Sequence, residues 1–241
     1  MNIRPLIRRV IPEALRRKLG ARSIHCYPSF SQEGEDRILW VLLAAEGRRE
    51  RGFYVDVGAH HPERYSNTKL FYDVGWRGIS VDAMPGSMQL FRVARPNDIN
   101  LEAAISSTGR TLTYYLFNEP ALNGFSQEVA DSRSADRSGW RIVGEQKIET
   151  TTLANLLTSH LPPDQQIDFL SVDVEGLDLD VLRSNDWDRF RPAVVAVEDF
   201  TPSRSEGPSD IGSYIESVGY HYCCRTILTS FFVDPLQMEF T

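Results

Sequence analysis

The sequence contains little cysteine and no long hydrophobic run. Its three cysteines, Cys26, Cys223 and Cys224, include one adjacent pair, and this pattern fits neither a disulfide framework nor a zinc site. Such sparse cysteine is typical of a reducing compartment, so we expect a cytoplasmic protein. No stretch approaches the roughly 18 consecutive apolar residues of a membrane-spanning helix, so we do not expect an integral membrane protein.

The chain also lacks internal repeats and Gly/Ser-rich linkers over its 241 residues. This length is enough for one α/β domain whose core needs no disulfide or metal support. We therefore expect a single domain over residues 26–241, preceded by a basic helical segment over residues 1–25.

Acidic residues outnumber basic ones except near the N-terminus. The chain has 26 basic and 33 acidic residues. Residues 1–22 hold seven of the basic residues against one acid, Glu13, so this segment carries +6, and the other residues, with 19 basic and 32 acidic groups, carry −13. An acidic body is a poor general binder of nucleic acid, because that binding depends on neutralising phosphates. We expect no nucleic-acid partner.

Residues 1–22 also show apolar side chains at the three- and four-residue steps of a helix, which Pro12 would kink or split. One interpretation is a helix that packs on the domain with its arginines in water. The other is a helix that lies in a membrane interface and contacts anionic lipids, which would make the protein membrane-peripheral. The absence of Trp and Phe from the apolar face favours the first. The apolar residues are Ile7, Val10, Ile11, Leu15 and Leu19.

Strand and helix patterns alternate from residue 53 onward. The runs 167–174 and 192–198 are almost continuously apolar, as is typical of parallel strands buried on both faces. Such alternation predicts a doubly wound parallel sheet, with 220–226 and 230–235 as antiparallel neighbours at its end. Strands are also predicted over 53–59, 77–83 and 99–106, and helices near 67–74, after Pro85, from an N-cap at Thr152, over 177–187 and near 210–218.

Residues 107–150 interrupt this alternation and are called the insertion below. The insertion begins with a strand-like run over 111–117 and continues with a stretch rich in Asn, Ser, Asp and Gly. A connection this long in a compact domain is usually either functional or disordered. We predict a hairpin followed by a mobile lid over the site.

The first two predicted strands end in residues suited to binding a nucleoside, since ligands of open α/β sheets bind at the carboxyl ends of strands. Asp56 is an acid within an apolar strand and needs a specific partner, and Gly58 allows close approach of a cofactor. Asp82 ends the second strand, where a carboxylate accepts hydrogen bonds from two ribose hydroxyls. The structural alternative for both aspartates is tying a loop or capping a helix.

A GxGxxG turn is missing, so a pyrophosphate has no obvious cradle. This counts against NAD and FAD as cofactors. S-adenosylmethionine carries adenine and ribose without phosphates and needs no such cradle.

Three acids, Asp173, Glu175 and Glu198, converge from the ends of adjacent predicted strands. They could bind a divalent cation, position a substrate hydroxyl or act as a general base, while helix capping and pairing with arginine are the structural alternatives. His60 and His61 follow the glycine turn, and one of them could deprotonate a hydroxyl near neutral pH. Because adjacent side chains point apart, we expect at most one of the two to face the substrate.

Five motifs, in order along the chain, resemble those of the FkbM family of S-adenosylmethionine-dependent methyltransferases. The resemblance covers about residues 30–200, and the combination is what makes it specific. It implies a class I methyltransferase fold, which is a Rossmann-like, doubly wound seven-stranded sheet whose last strand is antiparallel. The motifs are Ser31–Asp36 and residues 54–85, 101–106, 149–157 and 167–184.

The resemblance also implies which residues hold S-adenosyl-L-methionine. One departure is His60-His61-Pro62, where many relatives have a second glycine, so a histidine must fit or project into the site. The implied residues are Asp56 and Gly58 for the cofactor turn, Asp82 for ribose, Ala104 and Ile105 beside adenine, Ser66 and Asn67 at the start of the first helix, and Asp173 and Glu175 beside the methyl group and acceptor.

The activity implied by this resemblance is O-methylation of a sugar, glycan or secondary-metabolite hydroxyl, with a base among His60, His61, Asp173 and Glu175. A lipid-linked glycan would suit an N-terminal segment held at a membrane. One alternative is a catalytically inactive nucleoside-binding module tethered by that segment. A nicotinamide-dependent enzyme is the other, and the missing glycine-rich turn opposes it.

Overall fold

The computed structural model describes residues 27–45, 51–135, 139–201 and 207–238. The helix expected near the N-terminus, with its kink at Pro12 and its membrane contact, lies outside these residues. Among the described helices, none combines the length and apolar character that a membrane crossing requires.

The main sheet has seven strands in the order β3-β2-β1-β7-β8-β10-β9. All neighbouring pairs from β3 to β8 are parallel, whereas β10 runs antiparallel to both β8 and β9. This arrangement confirms the predicted class I methyltransferase fold. The strands are β1 (Phe53–Val57), β2 (Arg77–Asp82), β3 (Ile99–Glu102), β7 (Phe169–Val172), β8 (Val194–Glu198), β9 (His221–Arg225) and β10 (Thr229–Val233).

Helices cover both faces of this sheet. Alternation along β1 sends Val55 towards one apolar layer, formed with α5, α6 and α7, and Tyr54 towards the other, formed with α1 and α2. The helices are α1 (Glu35–Ala45), α2 (Lys69–Asp73), α3 (Met88–Ala94), α4 (Gln127–Ala135), α5 (Leu153–His160), α6 (Asp178–Arg183) and α7 (Asp210–Ser217).

The insertion and the two residues of β4 just before it form a second sheet of three strands in the order β4-β6-β5. β5 (Thr111–Phe117) and β6 (Ile142–Thr151) form a long antiparallel hairpin, and β4 (Ala104–Ile105) adds to β6 in parallel. Between the hairpin strands lie a short 3-10 helix (Pro120–Leu122) and α4. The predicted hairpin is therefore present, and the mobility of the lid stays a prediction.

Several predicted boundaries differ from the structure. The strand predicted over 99–106 is divided, because the Ala103 N–H bonds to the Asp82 carbonyl (3.0 Å) and the next two residues turn to pair with β6. The helix predicted over 177–187 ends at Arg183, where Ser184 Oγ bonds to the Val181 carbonyl (2.6 Å). The N-cap predicted at Thr152 is confirmed, since its side chain accepts from the Asn155 N–H at 3.1 Å.

Candidate active site

A cavity of about 400 Å³ opens at the carboxyl ends of β1, β2, β7 and β8. Its volume lies within the range of small-molecule sites. The sheet contributes Gly58, Asp82, Asp173 and Glu198 to its wall, and the insertion contributes Tyr114 and the segment 119–123. The cavity thus lies where the sequence places the site.

The turn after β1 depends on glycine at position 58. Gly58 has a φ of +88°, and a Cβ at this position would lie 1.6 Å from the Asp173 carbonyl oxygen. The N–H groups of Gly58 and Ala59 both bond to the Val81 carbonyl, at 2.9 and 3.0 Å. Gly58 therefore joins the ends of β1, β2 and β7. The backbone carbonyl of Asp173 occupies the space beside Gly58 that a side chain would need.

The carboxylate of Asp82 is fixed at the cavity wall by backbone donors. Its Oδ1 accepts from the Met84 N–H and its Oδ2 from the His60 N–H, both at 2.8 Å. Burial raises the pKa of Asp82, although these bonds favour the charged form. Each carboxylate oxygen has a further lone pair, so Asp82 can accept from two neighbouring hydroxyls.

Asp173, Glu175 and Glu198, called the acid cluster below, place ligand oxygens within 4.8 Å of one another. Asp173 faces the open cavity, but the surrounding protein still desolvates its carboxylate, and this raises its pKa. The charges of Glu175 and Asp178 raise the pKa further. Burial, followed by the charge of Asp173, also raises the pKa of Glu198. Each carboxylate of the cluster therefore disfavours ionisation of the others, and a positive group bound among them would favour their charged forms.

Asp178 shapes the turn that carries this cluster. Its carboxylate accepts from the N–H groups of Val174 and Gly176, both at 3.0 Å, and burial raises its pKa to about 7. Within that turn Glu175 adopts a φ of +57°. From the insertion, Gly124 packs against it, since a Cβ on Gly124 would lie 3.0 Å from the Glu175 Cβ. The insertion thus lies over the acid cluster.

The two histidines have different surroundings. His60 has a φ of +51° and lines the cavity, where its Nε2 is shielded from solvent and makes no hydrogen bond to a described residue. Burial lowers the pKa of His60, so its imidazole is neutral at pH 7 and its ring can accept a proton. His61 Nδ1 instead accepts from the N–H groups of Glu63 and Arg64, both at 3.1 Å.

Four of the predicted residues, Asp56, His61, Ser66 and Asn67, are not among the described residues that line the cavity. The Asp56 carboxylate accepts from Thr68 Oγ1 at 2.8 Å, because alternation along β1 turns it towards the α2 side of the sheet. Ser66 Oγ accepts from Arg95 Nη2 at 2.7 Å, and Asn67 Nδ2 donates to Ser171 Oγ at 3.0 Å. These contacts hold the loop after β1. Direct cofactor contact by Asp56, Ser66 and Asn67 stays a prediction, and so does a catalytic role for His61. Ala104 and Ile105 do line the cavity.

The rim of the cavity contains residues that the sequence interpretation missed. Arg64 donates to both carboxylate oxygens of Glu119, at 3.0 and 3.3 Å, and this pair joins the loop after β1 to the insertion. No local pattern could have revealed a pair 55 residues apart. The rim and walls are also aromatic, with Tyr65, Tyr114, Phe125, Trp140 and Phe200.

Comparison with known proteins identifies one family. The model of the FkbM methyltransferase domain matches residues 56–222. No curated protein matches the chain significantly. A solved candidate RNA methyltransferase from Pyrococcus horikoshii is 10% identical, with 93% of this chain and 99% of that one covered and a TM-score of 0.43. A TehB-like S-adenosylmethionine-dependent methyltransferase from Corynebacterium glutamicum is 11% identical, with 95% and 99% covered and a TM-score of 0.37.

Proposed function

Because the chain belongs to the FkbM methyltransferase family, we propose that it transfers a methyl group from S-adenosylmethionine to a hydroxyl oxygen of a sugar, glycan or related metabolite. Membership of this family makes the protein an S-adenosylmethionine-dependent methyltransferase. The acceptor and the O-methyl specificity are our inference. One observation carries it: a single cavity holds a carboxylate suited to ribose together with several proton acceptors.

The residues present fit the cofactor. Asp82 offers a fixed carboxylate for the two ribose hydroxyls, and Ala104 and Ile105 offer a small apolar surface beside it for adenine. When bound, S-adenosylmethionine supplies an electrophilic methyl group on a positively charged sulfur. The acid cluster lies in the same cavity, and its carboxylates attract that positive charge when they are ionised.

The remaining wall suits a polyhydroxylated acceptor. Aromatic faces such as those of Tyr65 and Trp140 pack against the C–H groups of a sugar ring, while carboxylates accept hydrogen bonds from its hydroxyls. A hydroxyl is a weak nucleophile and loses its proton during methyl transfer, so a base beside it accelerates the reaction. Of the four candidate bases, His60, Asp173 and Glu175 line the cavity. The imidazole of His60 is neutral at pH 7, and its Nε2 makes no hydrogen bond to a described residue, which supports His60 as one candidate for that base.

Two further parts of the proposal concern location. The low cysteine content is the support for a cytoplasmic enzyme. The +6 charge of residues 1–22 is the support for contact with an anionic membrane, where a lipid-linked glycan would be the acceptor.

Calorimetric titration with S-adenosylhomocysteine tests the cofactor assignment. We expect binding to the wild-type protein and none to Asp82→Ala. Glu102→Ala is the matched control, because Glu102 also ends a strand and also accepts from a backbone N–H (Gly86, 2.8 Å) but lies outside the cavity. Unchanged affinity in Asp82→Ala would show that the ribose assignment is wrong.

Methyl transfer to a panel of sugar acceptors tests the reaction class. His60→Asn keeps a residue type that tolerates the left-handed conformation and removes the ring nitrogen. If His60 is the base, this variant lowers kcat while affinity for S-adenosylhomocysteine stays the same. Binding of S-adenosylhomocysteine without turnover on any acceptor would instead favour the inactive nucleoside-binding module.

A further inference from the structure

The acid cluster brings three carboxylates together from two neighbouring strands. Asp173 and Glu175 follow β7, Glu198 ends β8, and one oxygen of each lies within 4.8 Å of the others. Oxygen atoms bound on opposite sides of a divalent cation lie about 4 Å apart for Mg²⁺ and about 5 Å apart for Ca²⁺, as twice the usual metal–oxygen distances. Oxygen atoms up to 4.8 Å apart fit across a Ca²⁺ shell, and a small closing movement of the side chains brings them to the shorter spacing of Mg²⁺.

A second observation points to a missing positive partner. Glu198 is only 8% exposed, its Oε2 is shielded from solvent, and that oxygen has no hydrogen-bond donor among the described residues. A buried carboxylate oxygen is costly unless a donor or a cation satisfies it. Glu198 lines the cavity, so its carboxylate group borders the space that a cation can enter from solvent.

From this geometry we propose that the acid cluster binds one divalent cation that prefers oxygen ligands, such as Mg²⁺ or Mn²⁺. An all-carboxylate set favours these hard cations over zinc or copper, which prefer nitrogen and sulfur. Solvent or an acceptor hydroxyl completes the coordination shell from the cavity side. The cation thereby orients the hydroxyl that is methylated, a role that rests on the proposed function.

Binding of MnCl₂ to the full-length protein tests the site, with free Mn²⁺ followed by electron paramagnetic resonance. We expect one bound ion per chain, and a loss of about tenfold or more in affinity for Glu198→Gln and for Asp173→Asn, which remove single ligands of similar shape. Glu145→Gln removes an exposed carboxylate of β6 outside the cluster, so it controls for non-specific binding and should bind like the wild type. Wild-type affinity in both cluster variants, or no bound Mn²⁺ in the wild type, would overturn the site.

Thermal melting separates a metal ligand from a structural residue. Without metal, Glu198→Gln should melt at or above the wild-type temperature, because it removes one of several buried carboxylates that oppose one another's ionisation. MnCl₂ should then raise the melting temperature of the wild type and leave that of Glu198→Gln unchanged. An equal rise of the melting temperature in both proteins would contradict the assignment. If Glu198→Gln does not fold, the same comparison is made with Asp173→Asn.

Binding of S-adenosylhomocysteine in the presence of EDTA distinguishes this site from the proposed function. Mn²⁺ binding without S-adenosylhomocysteine binding supports the cation site and refutes the methyltransferase assignment of the cavity. Methyl transfer at the full rate in EDTA supports the methyltransferase and overturns the cation's role.

Discussion

Gly58 is the residue whose identity the structure constrains most tightly. Its position lies at the end of β1, where the Asp173 carbonyl occupies the space of any Cβ. A side chain there would push apart β1 and β7, whose ends carry the acid cluster and the cofactor turn. The absence of a side chain at position 58 therefore matters both for the stability of the sheet and for the geometry of the cavity.

Gly58→Ala should lower the free energy of unfolding by several kcal/mol, because a backbone clash adds to the cost of a left-handed conformation. Gly75→Ala is the matched control, since Gly75 also has a positive φ (+107°) but no described atom lies within 4 Å of its Cβ position. We expect that control to lose only about 1–2 kcal/mol. Urea unfolding of the two variants measures the difference, and equal losses would show that the Asp173 contact is unimportant.

Single residues could be assigned from the sequence where the strand end itself sets their position. Gly58, Asp82 and Asp173 follow directly from strand ends, and all three line the cavity. Asp56 shows the limit of this reasoning, because the two-residue alternation of a strand decides its direction and the sequence does not say which face carries the site. The conformation of His60 is a further limit, since no local pattern requires a positive φ at a histidine.

At the scale of elements, the loop between β1 and α2 is held by one buried cation. Arg95, at the end of α3, is fully buried and donates to Thr68 Oγ1 at 2.6 Å, to Ser66 Oγ and to the Pro62 carbonyl. Thr68 Oγ1 in turn donates a hydrogen bond to the Asp56 carboxylate. The guanidinium thus ties α3 to the loop that presents His60 to the cavity.

Arg95→Met should destabilise the protein by about 3–5 kcal/mol, the usual cost of breaking a buried charged network. The looser loop should also weaken S-adenosylhomocysteine binding, since His60 donates its N–H to Asp82. Arg92→Met, on the exposed side of the same helix, should change neither quantity measurably. Chemical unfolding and calorimetry on both variants test this, and similar behaviour of the two would refute the network.

The alternation of strands and helices predicts most elements of the main sheet, because each buried parallel strand has a clear apolar run. The insertion is less predictable. Its hairpin strand over 111–117 is recognisable, but the 3-10 helix and the Arg64–Glu119 pair depend on contacts between distant segments. The division of the strand predicted over 99–106 has the same origin, since β4 forms only by pairing with β6.

For the whole molecule, the seven-stranded sheet with its antiparallel last strand could be predicted through the family resemblance, whereas the balance of charges within the fold could not. Two buried aspartates illustrate this. Burial raises the pKa of Asp98 to about 6, although it accepts from Tyr54 Oη (2.5 Å) and the Gly78 N–H. Burial alone would also raise the pKa of Asp234, but its hydrogen bonds with Arg191 hold it below the usual range.

These shifts have opposite effects on stability as pH changes. The folded state binds the Asp98 proton more tightly than the unfolded state, so this contribution is complete below the ordinary pKa near 4 and is lost as pH rises to about 6. A shift of two units corresponds to about 3 kcal/mol. Asp234 has a lowered pKa, so its contribution is present above pH 4 and is lost as pH falls below that value.

Asp98→Asn should therefore flatten the decline of unfolding free energy between about pH 4 and pH 6, whatever its effect on absolute stability. Asp234→Asn should leave that decline in place and instead reduce stability at pH 7, where the wild type has the ion pair with Arg191. Urea unfolding of both variants and the wild type from pH 4 to pH 8 gives the slopes. If Asp98→Asn keeps the wild-type slope, Asp98 does not control this part of the pH profile. The hydrogen bonds that Asp98 accepts would then offset the effect of burial on its pKa.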